Sequence, residues 1–196
     1  LCAPASSGFL QVRKDKKDLI LPAVGSYLAT STTPFAQRFA YTGTRDRTAM
    51  CLVGDTIDYM ASLHPKGWEG IYERNHTLAV TAREVLCDKL NIEKSVPDSM
   101  IGTMFTLPIG KLDFPEEIEK LGGVKRFRAA VKQHTDFGAY ALPYPADGQY
   151  LLRVSSHLYN NIGQYHALAD AVAKVVQEYG EKSPALAVSS APKIDK

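Results

Sequence analysis

The feature that most constrains the fold of this sequence is a long amphipathic segment from Trp68 to Leu90. Apolar residues recur there at three- and four-residue steps, and charged residues fill the other face. The apolar stripe consists of Ile71, Leu78, Ala82, Val85, Leu86 and Leu90. This spacing predicts a helix with one buried face, and such a face requires a second layer of structure to cover it.

The segments after this helix supply that second layer. Residues 100–109 predict a strand that ends at Pro108, and residues 115–132 predict a helix that breaks or kinks at Gly122 and Gly123. AYALPY and QYLLRVSS then predict two strands, which are joined through the turn signal PADG. A last helix is predicted from Asn161 to Tyr179. The order of elements predicts an α+β domain with a small, mainly antiparallel sheet covered on one face by helices.

The first 63 residues carry weaker patterns. Gly8 to Arg13 (GFLQVR) predicts a strand, and DLILPAVGSYL predicts an irregular strand or loop. Thr48 to Leu63 predicts one helix with Asp46 as its N-cap. Residues 1–40 do not close a domain of their own, so we expect them to be the last strand and linker of a larger upstream domain. Residues 180–196 lack periodicity and are expected to be disordered.

Composition excludes several classes of function. A formal net charge of +2 over 196 residues, without a cluster of basic and aromatic residues, argues against nucleic-acid binding. No stretch approaches the roughly 20 apolar residues of a membrane span. Three widely spaced cysteines, Cys2, Cys51 and Cys87, argue against a disulfide framework or a zinc site. Together these features favour a reducing, cytoplasmic compartment.

Gly43 and Thr44, in TGTRD just before the predicted helix, form the first candidate site. A helix N-terminus offers free N–H groups, a glycine lets an anion approach the backbone, and a threonine hydroxyl adds a donor. These are the parts of a phosphate cradle. The alternative is that Thr44 and Asp46 only turn and cap the chain, and the motif alone favours that alternative.

Arg153, in LLRVSS, is the second candidate. It lies near the end of an apolar strand, where a guanidinium must reach solvent, form an ion pair or bind a ligand. Arginine is the side chain best shaped to hold a carboxylate with two hydrogen bonds. A structural salt bridge is the alternative.

Other motifs offer less. None of the five histidines, His64, His76, His134, His157 and His166, has metal-ligand spacing to a second histidine or a carboxylate. The sequence contains no GxSxG, no P-loop and no GxGxxG. No metal site is therefore predicted.

Four stretches, in order along nearly the whole chain, resemble the class V aminotransferase family of pyridoxal-phosphate enzymes, in particular its isopenicillin N epimerase-like branch. LCAPASSGFLQVR resembles the segment just after that family's Schiff-base lysine, and RFAYTGTRDRTA resembles its Gly-Thr-x-Asp block before a helix. GWEGIYERNHTLAVTAREVLCDKL resembles its Gly-Trp and Arg-Asn-His helix, and LLRVSSHLYN its Arg-Val-Ser block.

The resemblance implies an α/β fold of type I, of which this chain is the C-terminal part. Residues 1–63 would end the large cofactor-binding domain, and residues 64–179 would form the small domain. Gly43 and Thr44 would hold the phosphate of pyridoxal 5'-phosphate, reaching into the neighbour's active site across a homodimer. Arg153 would bind the α-carboxylate of an amino-acid substrate. The Schiff-base lysine is expected upstream of Leu1, so no catalytic residue is assigned in this chain.

Three alternatives stay open. In the first, the chain is one half of a split enzyme rather than a piece of a longer one. In the second, it is a non-catalytic interaction domain that kept the fold. The presence of both Thr44 and Arg153 favours the enzyme. Within the family, a carbon–sulfur lyase or desulfurase is the third alternative. Persulfide chemistry is disfavoured because Cys51 and Cys87 fall within helical patterns rather than on an exposed loop.

Overall fold

The computed structural model describes residues 3–5, 7–41, 43–136, 141–143 and 148–180. The chain divides into two compact units, Leu1–Trp68 and Glu69–Lys196. Of the segment 180–196, predicted to be disordered, Gly180 is described and forms a β-bridge with Leu112, whereas residues 181–196 lie outside the described residues.

The first unit is built from short helices joined by irregular segments. A 3-10 helix and three α-helices make up its regular structure: Lys14–Leu19, then α1 (Phe35–Arg38), α2 (Thr48–Cys51) and α3 (Val53–Ser62). Among the described residues of this unit, only Arg38 and Met60 are buried. The unit therefore has very little hydrophobic core of its own.

The predicted strand from Gly8 to Arg13 is wrong. These residues are irregular, and the 3-10 helix follows them directly. A strand needs a neighbour to satisfy its backbone groups, and the described part of this unit contains no strand. In the segment DLILPAVGSYL, Asp18 and Leu19 end the 3-10 helix and the rest is a loop, as one of the two interpretations predicted.

The single helix predicted from Thr48 to Leu63 is interrupted at Leu52. There the N–H donates to the carbonyls of both Met50 and Thr48, which tightens the turn and separates α2 from α3. Met60 is buried as predicted, but Met50 and Ile57 of the same apolar stripe are 39% and 41% exposed. The stripe exists in the sequence, but its partner surface is lacking among the described residues of this unit.

The second unit follows the predicted order of elements. It contains α4 (Gly67–Leu90, which begins two residues before the unit boundary), β1 (Met104–Lys111), α5 (Glu116–Glu119), α6 (Gly123–Lys132), β2 (Ala141–Pro143), β3 (Gln149–Ser155) and α7 (Ile162–Tyr179). The predicted break between α5 and α6 is confirmed at Gly122, whose φ of 67° suits glycine. α7 begins with a reciprocal capping box between Asn161 and Gln164.

The three strands form an antiparallel sheet in the order β1-β3-β2. β1 does not end at Pro108 as predicted but continues to Lys111. A proline is tolerated there because β1 is an edge strand, and the register shifts between Pro108 and Lys111, where Gly110 has a φ of 80°. The predicted residues flanking β2, at 139–140 and 144, lie outside the described residues.

One continuous hydrophobic core lies between the sheet and the helices of this unit. It contains Ala82 and Leu86 of α4, Leu107 of β1, Leu152 of β3 and Val172 of α7, all essentially without solvent exposure. Along β3 the buried side chains alternate with more exposed ones. The small antiparallel sheet with helices on one face is therefore confirmed.

Candidate functional site

Gly43 adopts a backbone conformation that the first candidate site requires. Its φ is 108°, and apart from its two chain neighbours no atom of a described residue lies within 4 Å of the place where a Cβ would stand. Residues with a side chain rarely adopt such a φ. Glycine therefore allows this backbone conformation and leaves space beside the backbone. Thr44 is exposed, and its hydroxyl forms no hydrogen bond with a described residue. The loop thus presents an open backbone and one free hydroxyl.

The N-cap of α2 is Arg47 rather than the predicted Asp46, although Asp46 forms hydrogen bonds with the first helical residue. Its Oδ1 accepts from the Thr48 N–H at 2.8 Å and from the Thr48 hydroxyl at 2.6 Å. These two donors lower the pKa of the Asp46 carboxyl, the hydroxyl having the larger effect. Asp46 and Thr48 therefore satisfy each other, while Thr44 remains available.

The helix that follows this loop is shorter than predicted. α2 has four residues, so it carries only a small part of the macrodipole that a continuous helix would have. Any anion bound here would depend mainly on the Thr44 hydroxyl and on the loop backbone. The exposed side chains of Arg45 and Arg47 add positive charge on either side of Asp46.

Arg153 lies on the face of the sheet that the helices do not cover. It is exposed, between the buried residues Leu152 and Val154, and stands opposite Thr106 of β1. No described residue forms a hydrogen bond or ion pair with its guanidinium. The structural salt bridge considered from the sequence is therefore absent among the described residues. Gly43 and Thr44 belong to the first unit and Arg153 to the second.

The loop after β3 is held by hydrogen bonds from α4, which the sequence analysis did not predict. Arg74 of α4 donates to the His157 carbonyl at 3.1 Å and to the Asn160 carbonyl at 3.0 Å. The buried Ser156 hydroxyl donates to the Asn75 carbonyl at 2.6 Å. The signal in the sequence was the Arg-Asn pair within the stripe of α4, where Asn75 is buried.

Cys51 and Cys87 are placed as their helical patterns predicted, and Cys2 lies outside the described residues. Cys51 is free and exposed in α2, and Cys87 is free and buried in α4. Burial raises the pKa of the Cys87 thiol, which makes it a poor nucleophile. Neither lies on a loop that would carry a persulfide.

The described ranges contain neither a candidate metal cluster nor a helix that could span a membrane. Within them, no group of three or more His, Cys, Asp or Glu side chains is arranged to hold a metal ion. Of the helices in the described ranges, none is both long enough and apolar enough to cross a bilayer.

Comparison with known proteins gives two relatives. A putative L-cysteine desulfhydrase 2 of Oryza sativa subsp. japonica is 29% identical over 192 residues, covering 89% of this chain and 39% of that protein. A probable chloroplastic L-cysteine desulfhydrase of Arabidopsis thaliana is 26% identical over 187 residues, covering 90% and 38%. No protein-family model matches the chain. The chain thus resembles two proteins described as L-cysteine desulfhydrases and spans about two fifths of their length.

The names of the two relatives support only the general part of the family expectation. Both fall under the carbon–sulfur lyase alternative, and neither names an epimerase or an aminotransferase. The similarity is to L-cysteine desulfhydrases, at 26% and 29% identity.

Proposed function

We propose that this chain is the C-terminal part of a pyridoxal-phosphate-dependent enzyme of fold type I that acts at the α-carbon of an amino acid. The observation that carries the proposal is the similarity to two L-cysteine desulfhydrases along about nine tenths of the chain. Releasing sulfide from cysteine requires a carbanion at the α-carbon, and pyridoxal phosphate supplies the electron sink for it. The fold and the free Arg153 are compatible with this chemistry.

Gly43 and Thr44 would hold the cofactor phosphate. The positive φ of Gly43 and the open space beside it let a phosphate approach the backbone, and the unpaired Thr44 hydroxyl would donate to it. Asp46 forms no hydrogen bond with Thr44 among the described residues, and its Oδ1 accepts from Thr48 instead. The residues present therefore fit the phosphate group.

Arg153 would hold the α-carboxylate of the substrate. Its guanidinium has no described partner, so no existing ion pair must be broken before a carboxylate binds. A carboxylate held in a fixed orientation would restrict which bond at the α-carbon can be broken.

The descriptions of the relatives favour L-cysteine as the substrate and carbon–sulfur cleavage as the reaction. Epimerisation or transamination is the second candidate, favoured by the resemblance of RFAYTGTRDRTA and LLRVSSHLYN to the class V family. The three reactions share the carboxylate and phosphate contacts, so the same residues serve each. Free Cys51 and Cys87 fit a reducing compartment, either the cytoplasm or a plastid as in the Arabidopsis relative.

The first unit would be completed by other polypeptide. Its partly exposed apolar side chains include Met50, Leu52, Ile57, Tyr59 and Leu63. An exposed apolar surface of this kind marks a contact with another part of a protein. We assign that contact to an upstream part of the same polypeptide, which carries the Schiff-base lysine, and to the second subunit of a homodimer.

Cofactor titration tests the phosphate assignment. In the complete protein, Thr44→Val is expected to weaken pyridoxal-phosphate binding by about 1–2 kcal/mol, as for a hydrogen bond to a charged group. The matched control is Thr56→Val, because the Thr56 hydroxyl donates to the Leu52 carbonyl within a helix. Equal affinities for the Thr44→Val variant and the wild type would reduce Thr44 to a turn residue. Failure of the wild type to bind the cofactor would instead favour the interaction-domain alternative.

A further inference from the structure

His157 has a well-defined position in the structure, and the proposed function gives it no role. The ladder between β1 and β3 continues one residue past its end, because the Ser156 N–H donates to the Thr103 carbonyl at 2.8 Å. Burial continues to alternate with it: Val154 and Ser156 are buried, whereas Arg153, Ser155 and His157 are not. Since alternate residues of an extended chain share a face, His157 follows Arg153 on the uncovered side.

The backbone of His157 is fixed on both sides. Its N–H donates to Oδ1 of Asn160 at 3.1 Å, and its carbonyl accepts from Nη1 of Arg74 at 3.1 Å. Arg74 also donates to Oδ1 of its neighbour Asn75, at 3.2 Å. These contacts hold the backbone of His157 in place.

The imidazole ring is fixed as well. It stacks on the ring of Tyr159, with centroids 4.6 Å apart and planes inclined by 17°. Its Nδ1 accepts from the Leu158 N–H at 2.9 Å. In the neutral ring, an accepting Nδ1 leaves the proton on Nε2. Nε2 therefore carries an N–H donor, and no described residue accepts from it.

We propose that His157 is a second substrate-binding donor on the same face of the sheet as Arg153, four residues further along the chain, and that it recognises the carboxylate of the amino acid through its Nε2–H. Arg74 is the positioning residue that holds it there. The inference rests on the proposed function and deepens it, because it assigns a specificity residue to the same site. A ring fixed in advance loses little freedom on binding, so its hydrogen bond contributes to affinity without that cost.

Two substitutions separate the donor from the stack. His157→Phe keeps a flat ring on Tyr159 but removes the N–H, whereas His157→Gln keeps an N–H donor and loses the aromatic ring. The control is His166→Phe, at an exposed histidine of α7. The measurement is the dissociation constant of the complete protein, loaded with pyridoxal phosphate, for an unreactive amino-acid analogue and for the corresponding amine without a carboxylate.

His157→Phe is expected to weaken binding of the amino-acid analogue about tenfold to a hundredfold, the range for a hydrogen bond to a charged group. His157→Gln is expected to lose less, and neither variant should change binding of the amine. Arg74→Met should act in the same direction as His157→Phe, through the released loop. Should His157→Phe not fold, as judged by its thermal unfolding, the selective loss with His157→Gln carries the test.

The outcomes distinguish this inference from the proposed function. Wild-type binding of the amino acid that depends on Arg153 but not on His157 overturns the second donor and leaves the enzyme assignment standing. An equal loss for the amino acid and the amine also overturns it, because the histidine would then not read the carboxylate. A complete protein that binds neither cofactor nor amino acid overturns the proposed function, and this inference with it.

Discussion

Replacing Arg153 by alanine should remove the protein's preference for amino acids over amines. The guanidinium lies on the uncovered face of the sheet without a described partner, so the substitution breaks no existing ion pair. Leu152 and Val154, on either side, remain in the core. The change is therefore expected to alter recognition without altering the fold.

The magnitude depends on whether the site is covered in the complete enzyme. An ion pair in open solvent contributes about 1 kcal/mol or less. A carboxylate held in a desolvated cleft loses about 2–5 kcal/mol when its partner is truncated. At about 1.4 kcal/mol for each factor of ten, this corresponds to a loss of about 30-fold to about 4,000-fold in kcat/KM. Arg153→Lys keeps the charge but not the planar fork, so it should recover only part of the loss.

Steady-state kinetics with an amino acid and with its amine analogue measure the effect. The control is Arg126→Ala, since Arg126 already has a partner in Glu119, with Nη1 and Oε2 2.9 Å apart. A loss of less than about fivefold, equal for both substrates, would show that Arg153 is a surface residue and that the carboxylate assignment is wrong.

Three further predictions follow from other parts of the chain. Ser156→Ala is expected to lower the free energy of unfolding by about 0.5–1.5 kcal/mol in chemical denaturation, because it removes the buried hydrogen bond from the Ser156 hydroxyl to the Asn75 carbonyl of α4; an unchanged midpoint would contradict this. The folded state lowers the pKa of the Asp46 carboxyl, so the carboxylate stabilises the fold above the ordinary pKa of 3.8 and loses this effect as the pH falls through the lowered pKa. The difference in melting temperature between wild type and Asp46→Asn should therefore hold from about pH 7 to pH 5 and shrink below about pH 4. Cys51→Ser should leave sulfide release from L-cysteine unchanged, and a large loss would point to persulfide chemistry instead.

Local periodicity was sufficient to predict the second unit. The stripe of α4 and the alternation of β3 each bury one face of a regular element, and Asn161 carries its capping signal within four residues. These patterns depend only on residues close together in the sequence, so they can be recognised from the sequence alone.

The remaining errors concern partners that are distant along the chain. The segment at Gly8 has the composition of a strand, but no described strand pairs with it. The stripe of Met50 and Ile57 has the period of a buried helix face, but its cover is lacking in the described part of the first unit. Arg74 contacts a loop more than eighty residues away, which no local pattern shows. The phosphate and carboxylate roles of Thr44 and Arg153 stay predictions.

The most direct test of the enzyme assignment is exchange of the α-proton of an amino acid in deuterated water. Epimerisation, transamination and elimination all begin by breaking a bond at the α-carbon, so the measurement does not depend on which of them follows. We expect the complete protein, loaded with pyridoxal phosphate, to exchange the α-proton of L-cysteine or a close analogue, as followed by proton nuclear magnetic resonance, and Arg153→Ala to exchange it far more slowly. An α-proton signal that persists with the loaded wild type as long as it does without protein would contradict the account.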